Sequence, residues 1–129
     1  MTLVDTSVWV GHLRAHDHEL ERLIDADAVC AHPYVIGEMA LGQLCQREIV
    51  LKALKALPQV TVAADAEVFR FLSRHALFGR GIGYVDVCLL AAASVTPNTW
   101  LWTNDKKLGA VASDLGLAVS PPFPTQTLG

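Results

Sequence analysis

The sequence contains little cysteine. Its three cysteines, Cys30, Cys45 and Cys88, are odd in number, widely spaced and surrounded by apolar residues. A disulfide framework needs pairs and a zinc site needs grouped ligands, so the pattern indicates neither. We therefore expect reduced cysteines that are buried in the core.

Positive charge is also scarce. The sequence has 10 lysines and arginines against 13 aspartates and glutamates, and its formal net charge is −3. The overall electrostatic field therefore does not attract a polyanion. If the protein binds or cleaves nucleic acid, it has to do so through a local group of residues and not through its overall charge.

Long apolar runs and a signal peptide are missing. The longest apolar run, residues 87–93, is far shorter than the ~18 residues that span a membrane. Asp5 lies where a signal peptide carries basic residues, and no long apolar segment follows it. We expect a cytoplasmic protein that makes no membrane contact.

Apolar residues in total are abundant, at 52% of 129 residues. A chain of this length forms one domain and buries roughly two-thirds of its unfolded surface. The composition therefore predicts a well-filled core and an exposed apolar patch that is available to a partner.

Strand and helix patterns alternate along the chain. Strands are predicted at residues 3–4, 28–31, 60–62, 100–103 and 117–119, and helices at about 7–15, 17–25, 33–45, 46–57, 65–77, 84–93 and 106–115. The alternation predicts an α/β fold, a three-layer α/β/α sandwich with a mainly parallel central sheet. Residues 1–119 would form this domain, and residues 120–129 a proline-rich tail.

Four acidic residues occupy unusual positions. Asp5 and Asp105 each directly follow a predicted strand, while Glu38 and Asp86 lie early on predicted helices. Each could simply cap a helix or be a solvated charge, and T-N-D before a helix makes Asp105 the best candidate for a cap.

The surroundings of these acids favour a different interpretation. Glu38 shares a helical face with Tyr34, Leu41 and Cys45, and no charged residue occurs between Asp86 and Asp105. In parallel α/β folds, ligands bind beyond the carboxyl ends of the strands, where all four acids can converge. Close carboxylates repel each other by ~4 kcal/mol per pair at an effective dielectric constant near 20. A divalent cation would relieve this repulsion, and all-carboxylate sites favour Mg²⁺ or Mn²⁺ and commonly hydrolyse phosphodiesters.

Four motifs in a fixed order carry a family resemblance. They are V-D-T-S-x-W at residues 4–9, the helical Glu38, Y-V-D-x-x-L-x-A-x-A at residues 84–93 and T-N-D-x-x-L at residues 103–108. From Leu3 to about Val119 the chain resembles the PIN-domain ribonucleases, specifically the VapC-type toxins of bacterial toxin–antitoxin pairs. The resemblance implies a PIN-like nuclease domain over residues 1–119.

The resemblance also implies an activity, a cofactor and partners. The protein would be a Mg²⁺- or Mn²⁺-dependent endoribonuclease that cleaves tRNA, rRNA or mRNA, forms a homodimer and is inhibited by a cognate antitoxin protein. Carried over by position, the catalytic metal ligands would be Asp5, Glu38, Asp86 and Asp105. Hydroxyl groups that support these ligands would come from Thr6, Ser7 and Thr103. Candidate RNA phosphate contacts, any of which could instead be an ordinary solvated cation, are Arg14, Arg80, Lys106 and Lys107.

Three other functions stay open at this point. A receiver domain would need a phospho-accepting aspartate after the third strand, and residues 58–62 offer none. A haloacid-dehalogenase-type phosphatase would need D-x-D after the first strand, where the sequence has Asp5-Thr6-Ser7. A catalytically silent binding module is the remaining alternative.

Two further features suggest a site only superficially. His12, His16 and His18 are close in sequence, but Arg14 intrudes and no fourth metal ligand is evident, so a solvated polar face is favoured. The glycines of residues 78–83 lack the order of a phosphate-binding loop, and we expect a flexible segment from which Arg80 reaches outward.

Overall fold

A three-stranded parallel sheet forms the centre of the molecule. The computed structural model describes residues 1–121, so most of the predicted tail, residues 122–129, lies outside the described residues. The strands are β1 (Thr2–Val4), β2 (Val29–Cys30) and β3 (Trp100–Trp102), in the order β2-β1-β3. Thr2 pairs with Val29 on one side and Trp100 on the other. The predicted mainly parallel α/β fold is confirmed.

Helices account for most of the remaining described chain. They are α1 (Thr6–Arg14), α2 (His18–Asp25), α3 (Pro33–Leu41), α4 (Arg47–Ala56), α5 (Asp65–Arg74), α6 (Tyr84–Val95) and α7 (Lys106–Asp114). Helix α3 packs against α1 and α4, whereas α6 packs against α5 and β3. None of the helices between residues 1 and 121 is long and apolar enough to cross a membrane.

The two strands predicted at residues 60–62 and 117–119 are each reduced to a single β-bridge. Ala31 pairs with Gln59, and Leu101 pairs with Ala118, both in parallel. The segment at residues 59–62 leaves the edge of the sheet after Val60, because its neighbour β2 has only two strand residues. Val62 is accordingly exposed. The strand predictions for residues 60–62 and 117–119 are therefore wrong in extent, although both segments lie along the sheet.

The core is made by β1 and the apolar helices around it. Leu3 and Val4 are fully buried, and every residue from Val87 to Ala93 on α6 is buried. A helix that is apolar on all sides is expected in such a position. These residues fix the start of α6, and therefore Asp86, beside the sheet.

The cysteine prediction holds for two residues of three. Cys30 and Cys88 are buried thiols, and burial raises the pKa of Cys30 to about 11. Cys45 is exposed, which contradicts the expectation that it is buried. The reason is that α3 ends at Leu41, so Cys45 lies in the loop before α4.

Candidate active site

Asp5 is a buried carboxylate at the carboxyl end of the central strand. Asp5 is 6% exposed, and its backbone N–H donates to the Trp102 carbonyl of the neighbouring strand. Asp5 holds the N-cap position of α1, but its side chain makes no capping hydrogen bond. Ser7 Oγ and Thr103 Oγ1 donate to its Oδ2 at 2.8 and 2.7 Å. Two neutral hydroxyls therefore satisfy one oxygen of this buried charge.

The same two hydroxyls join the ends of β1 and β3. Thr103 Oγ1 accepts the Asp105 backbone N–H, and Ser7 Oγ accepts the Asn104 backbone N–H, each at 3.0 Å. Charge-assisted hydrogen bonds to a carboxylate are stronger than neutral ones. The network consequently orients Asp5 and sets the path by which the chain reaches Asp105.

Asp86 lies in the first turn of α6 and is partly buried. Its Oδ2 accepts the Gly83 backbone N–H at 2.9 Å. Burial raises the pKa of Asp86, the Gly83 hydrogen bond counteracts this in part, and the charges of Asp5, Asp105 and Glu38 raise it further. The charges of the other three acids therefore act on Asp86.

Glu38 is on the exposed face of α3. Its Oε1 accepts a hydrogen bond from Thr6 Oγ1 at 2.7 Å, which ties it to the first turn of α1. The residues that share its face, Tyr34 and Leu41, are 41% and 90% exposed. The apolar face that Glu38 shares in the sequence therefore points to solvent, so Glu38 is a solvent-facing residue and not a charge placed among core residues.

Asp105 acts as a helix cap in the structure. It is the N-cap residue of α7, and its Oδ1 accepts the Leu108 backbone N–H at 2.8 Å. Its side chain is exposed, and its charge contributes to the raised pKa of Asp86. The cap interpretation is correct for this residue, yet one carboxylate oxygen is left for a ligand.

The donor set fits a hard divalent cation. No ion pair in residues 1–121 involves Asp5, Glu38, Asp86 or Asp105. Their hydrogen bonds come from hydroxyls and backbone N–H groups, which are neutral. An all-oxygen set with uncompensated negative charge suits Mg²⁺ or Mn²⁺ better than zinc. These four carboxylates could hold such an ion, together with water.

The candidate phosphate contacts differ in their surroundings. Arg14 lines a cavity of about 410 Å³ that also includes Glu38. Lys106 and Lys107 are exposed on the first turn of α7. The expectation that Arg80 reaches outward from a flexible loop is wrong, because Arg80 pairs with Asp114 of α7 at 2.8 Å.

Two contributors to the site were missed in the sequence. Asn104 links to Ser7 through its backbone N–H, and its side-chain Nδ2 is 3.8 Å from where a Cβ on Gly11 would lie. Gly83 supplies the hydrogen bond to Asp86. The position of Asn104 inside the T-N-D motif could have indicated its role. The Gly83 N–H could not have been predicted, because a backbone donor does not depend on residue type.

Comparisons with known proteins agree on one family. The PIN-domain family model matches residues 2–114. The chain is 45% identical over 120 residues to ribonuclease VapC32 from two strains of Mycobacterium tuberculosis, which covers 93% of this chain and 97% of that protein.

Solved structures agree on the fold. One is the crystal structure of FitAcB from Neisseria gonorrhoeae, with a TM-score of 0.59, 19% identity and coverage of 88% of this chain and 94% of that one. The other is FitAB bound to an IR36 DNA fragment, with a TM-score of 0.62, 17% identity and full coverage of both chains. The receiver-domain and phosphatase alternatives are thereby set aside. The chain belongs to the PIN-domain family.

Proposed function

We propose that the protein is a metal-dependent endoribonuclease that hydrolyses RNA phosphodiester bonds and acts as the toxin of a toxin–antitoxin pair. The observation that carries this proposal is that the charges of Asp5, Asp105 and Glu38 all act on Asp86, while no ion pair within residues 1–121 involves any of these four acids. The 45% identity to a protein named a ribonuclease supports RNA as the substrate.

The metal ligands would be the four carboxylates. When bound there, Mg²⁺ or Mn²⁺ supplies Lewis-acid catalysis for an in-line displacement at phosphorus. Ser7 and Thr103 orient Asp5, Thr6 orients Glu38, and the Gly83 N–H orients Asp86. Hydrogen bonds of this kind keep metal-ligating side chains in position before the ion arrives.

Basic residues near the acids would hold the RNA phosphates. Lys106 and Lys107 directly follow Asp105, and Arg14 lines the cavity beside Glu38. Arg80 could contribute only by leaving its ion pair with Asp114. Because the net charge is −3, these local cations have to provide the attraction for the backbone of the substrate.

Exposed apolar side chains support the proposed protein partners, an antitoxin and a second copy of the chain. Leu41 is 90% exposed and Phe78 is 70% exposed, and Ile49 and Phe69 are also exposed. Large apolar side chains at the surface commonly mark protein interfaces. Action on cellular RNA would place the protein in the cytoplasm.

A cleavage assay with purified protein tests the activity. We expect RNA hydrolysis with Mg²⁺ or Mn²⁺, none with chelator, and none for Asp86→Asn, which removes a ligand charge and keeps the side-chain shape. Asp25→Asn, an exposed change at the end of α2, is the matched control and should retain activity. Wild-type activity in a pure Asp86→Asn protein would refute the proposal.

A further inference from the structure

Three exposed side chains bring metal-ligating atoms together at the junction of α1 and α2. His16 lies in the connecting loop, and His18 and Glu21 lie on the first turns of α2. One ligand atom from each residue lies within 4.8 Å of the other two. His16 Nε2 and Glu21 Oε2 are in direct contact, and the centroids of the His16 and His18 rings are 4.9 Å apart. We propose that these three residues form a second metal site, which binds a borderline divalent cation such as Zn²⁺.

The chemistry of the ligands selects the kind of metal. Two imidazole nitrogens and one carboxylate oxygen suit Zn²⁺, Co²⁺ or Ni²⁺, whereas Mg²⁺ prefers oxygen ligands alone. The four carboxylates of the candidate active site offer only oxygen. The two sites would therefore prefer different ions, and a mixture of Mg²⁺ and Zn²⁺ could occupy both.

The loop that carries His16 is held by its neighbours. Asp17 caps α2 by accepting the Leu20 backbone N–H at 3.0 Å. The Asp17 backbone N–H donates to His12 Nδ1, also at 3.0 Å. These two hydrogen bonds fix both sides of the loop, so the ligand atoms are brought together before a metal binds.

His12 supports the site and does not ligate the metal. A neutral imidazole that accepts a hydrogen bond at Nδ1 carries its proton on Nε2, which leaves no second lone pair for a cation. The His12 ring lies 4.9 Å from the His16 ring, between centroids. The protein consequently provides three ligands, and water completes a tetrahedral coordination.

Occupancy would connect the loop that follows α1 to the start of α2. The other end of α1 carries Thr6 and Ser7, which donate to Glu38 and Asp5. A cation that binds only the folded arrangement stabilises it by an amount that grows with the logarithm of one plus its concentration divided by the dissociation constant. Zn²⁺ should thus raise the melting temperature even when the carboxylate site is filled with Mg²⁺.

Cobalt spectroscopy tests this site without reference to nuclease activity. The full chain with Cys45→Ser, which removes the exposed thiol, is titrated with Co²⁺ in excess Mg²⁺. We expect one Co²⁺ per chain with the visible d–d absorption of a tetrahedral nitrogen-containing site, and its loss on addition of Zn²⁺. His16→Asn, His18→Asn and Glu21→Gln should each weaken binding at least tenfold, or about 1.4 kcal/mol.

Matched controls separate this site from other metal binding. His75→Asn removes an exposed histidine at the C-cap of α5, and Glu19→Gln removes a carboxylate from α2 that pairs with Arg22. Both should leave the Co²⁺ titration unchanged. The proposal is overturned if wild type gives no tetrahedral band, because His16 and Glu21 then form an ordinary ion pair. It is equally overturned if the band persists in His16→Asn/His18→Asn protein. The result does not depend on whether the protein cleaves RNA.

Discussion

At the scale of single residues, Asp5 illustrates how a buried charge is stabilised before any cation binds. A buried carboxylate is costly unless it is hydrogen-bonded or paired. Asp5 receives two hydroxyl donors on Oδ2 but has no ion pair within residues 1–121. These two hydrogen bonds therefore stabilise and orient the Asp5 carboxylate, and under the proposed function a metal ion would compensate the rest of its charge.

The two hydroxyls should consequently matter for activity more than for folding. Thr103→Val keeps the shape of the side chain and removes one donor to Asp5, and Ser7→Ala removes the other. We expect each change to lower the rate of RNA cleavage by about 10–100-fold, the usual effect of removing a group that orients a metal ligand. Ser94→Ala removes a hydroxyl that donates to the local Ala91 carbonyl and is the control. Equal rates for Thr103→Val and Ser94→Ala would contradict the role assigned to Thr103.

The raised pKa of Asp86 predicts an unusual dependence of stability on pH. When the folded-state pKa lies above the unfolded one, the folded protein binds more protons. Its stabilising contribution is then fully present below the unfolded pKa, near 3.8, and is lost as pH rises through the folded pKa. In chelator, the melting temperature should therefore fall as pH rises from acidic towards neutral, and Asp86→Asn should reduce the fall.

The same melting measurements across pH should be repeated with Mg²⁺ in place of chelator. Because the cation competes with protons for the carboxylates, it should restore the melting temperature of wild type most at the upper end of the pH range. Asp86→Asn should respond less to Mg²⁺, and Asp25→Asn should behave like wild type. Identical melting profiles for wild type and Asp86→Asn, with and without Mg²⁺, would exclude a crowded carboxylate site at Asp86.

At the scale of secondary-structure elements, the chain shows which patterns in a sequence are decisive. The charge-free run at residues 87–93 predicts a buried helix, and α6 is buried along that whole run. The predicted positions of Asp5 and Asp105 relative to the strands are also correct, since these residues follow β1 and β3 closely. The interpretation of the apolar face of α3 fails, because an apolar stripe that faces solvent looks the same in sequence as one that faces the core. The Gly83 N–H bond to Asp86 is local, but a backbone donor is not encoded by residue type, and the Arg80–Asp114 pair depends on a tertiary contact.

The loop between α5 and α6 gives an element-scale prediction. Gly79 and Gly81 have φ angles of +73° and +79°, so alanine at either position should cost about 1–2 kcal/mol of unfolding free energy. A Cβ at Gly79 meets nothing within 4 Å, whereas one at Gly81 would lie 2.9 Å from Lys107 Cδ. The flexible Lys107 side chain can move away, so we expect similar losses of stability for Gly79→Ala and Gly81→Ala.

Activity should distinguish the two glycine variants. Only Gly81→Ala displaces Lys107, a proposed phosphate contact, so only this variant should raise KM for RNA beyond the effect of the shared backbone strain. Lys107→Gln in the wild-type background measures the full loss of that contact. If Gly79→Ala and Gly81→Ala raise KM equally, the position of Lys107 over Gly81 has no part in substrate binding.

At the scale of the whole molecule, this small acidic protein combines an edge that carries four acidic residues with exposed apolar side chains. The net charge of −3 gives no general attraction for RNA, so under the proposed function binding would depend on the local cations and on the metal. The exposed Leu41 lies three residues from Glu38 on the same helix, so an apolar surface adjoins the proposed site. A protein that covers this surface could also restrict access to the acids.

The whole-molecule prediction concerns growth. Expression of the wild-type chain alone should arrest bacterial growth because uncontrolled RNA cleavage stops protein synthesis. Co-expression of the small open reading frame next to its gene, as the cognate antitoxin, should relieve the arrest. Asp5→Asn should be harmless at an equal protein level, because it removes a ligand charge while both hydroxyl donors keep a side-chain oxygen to bond. Asp25→Asn should remain toxic and serves as the matched control for expression. Equal growth of cells that express wild type and Asp5→Asn, with both proteins folded and abundant, would refute the toxin assignment even if the purified protein cleaves RNA.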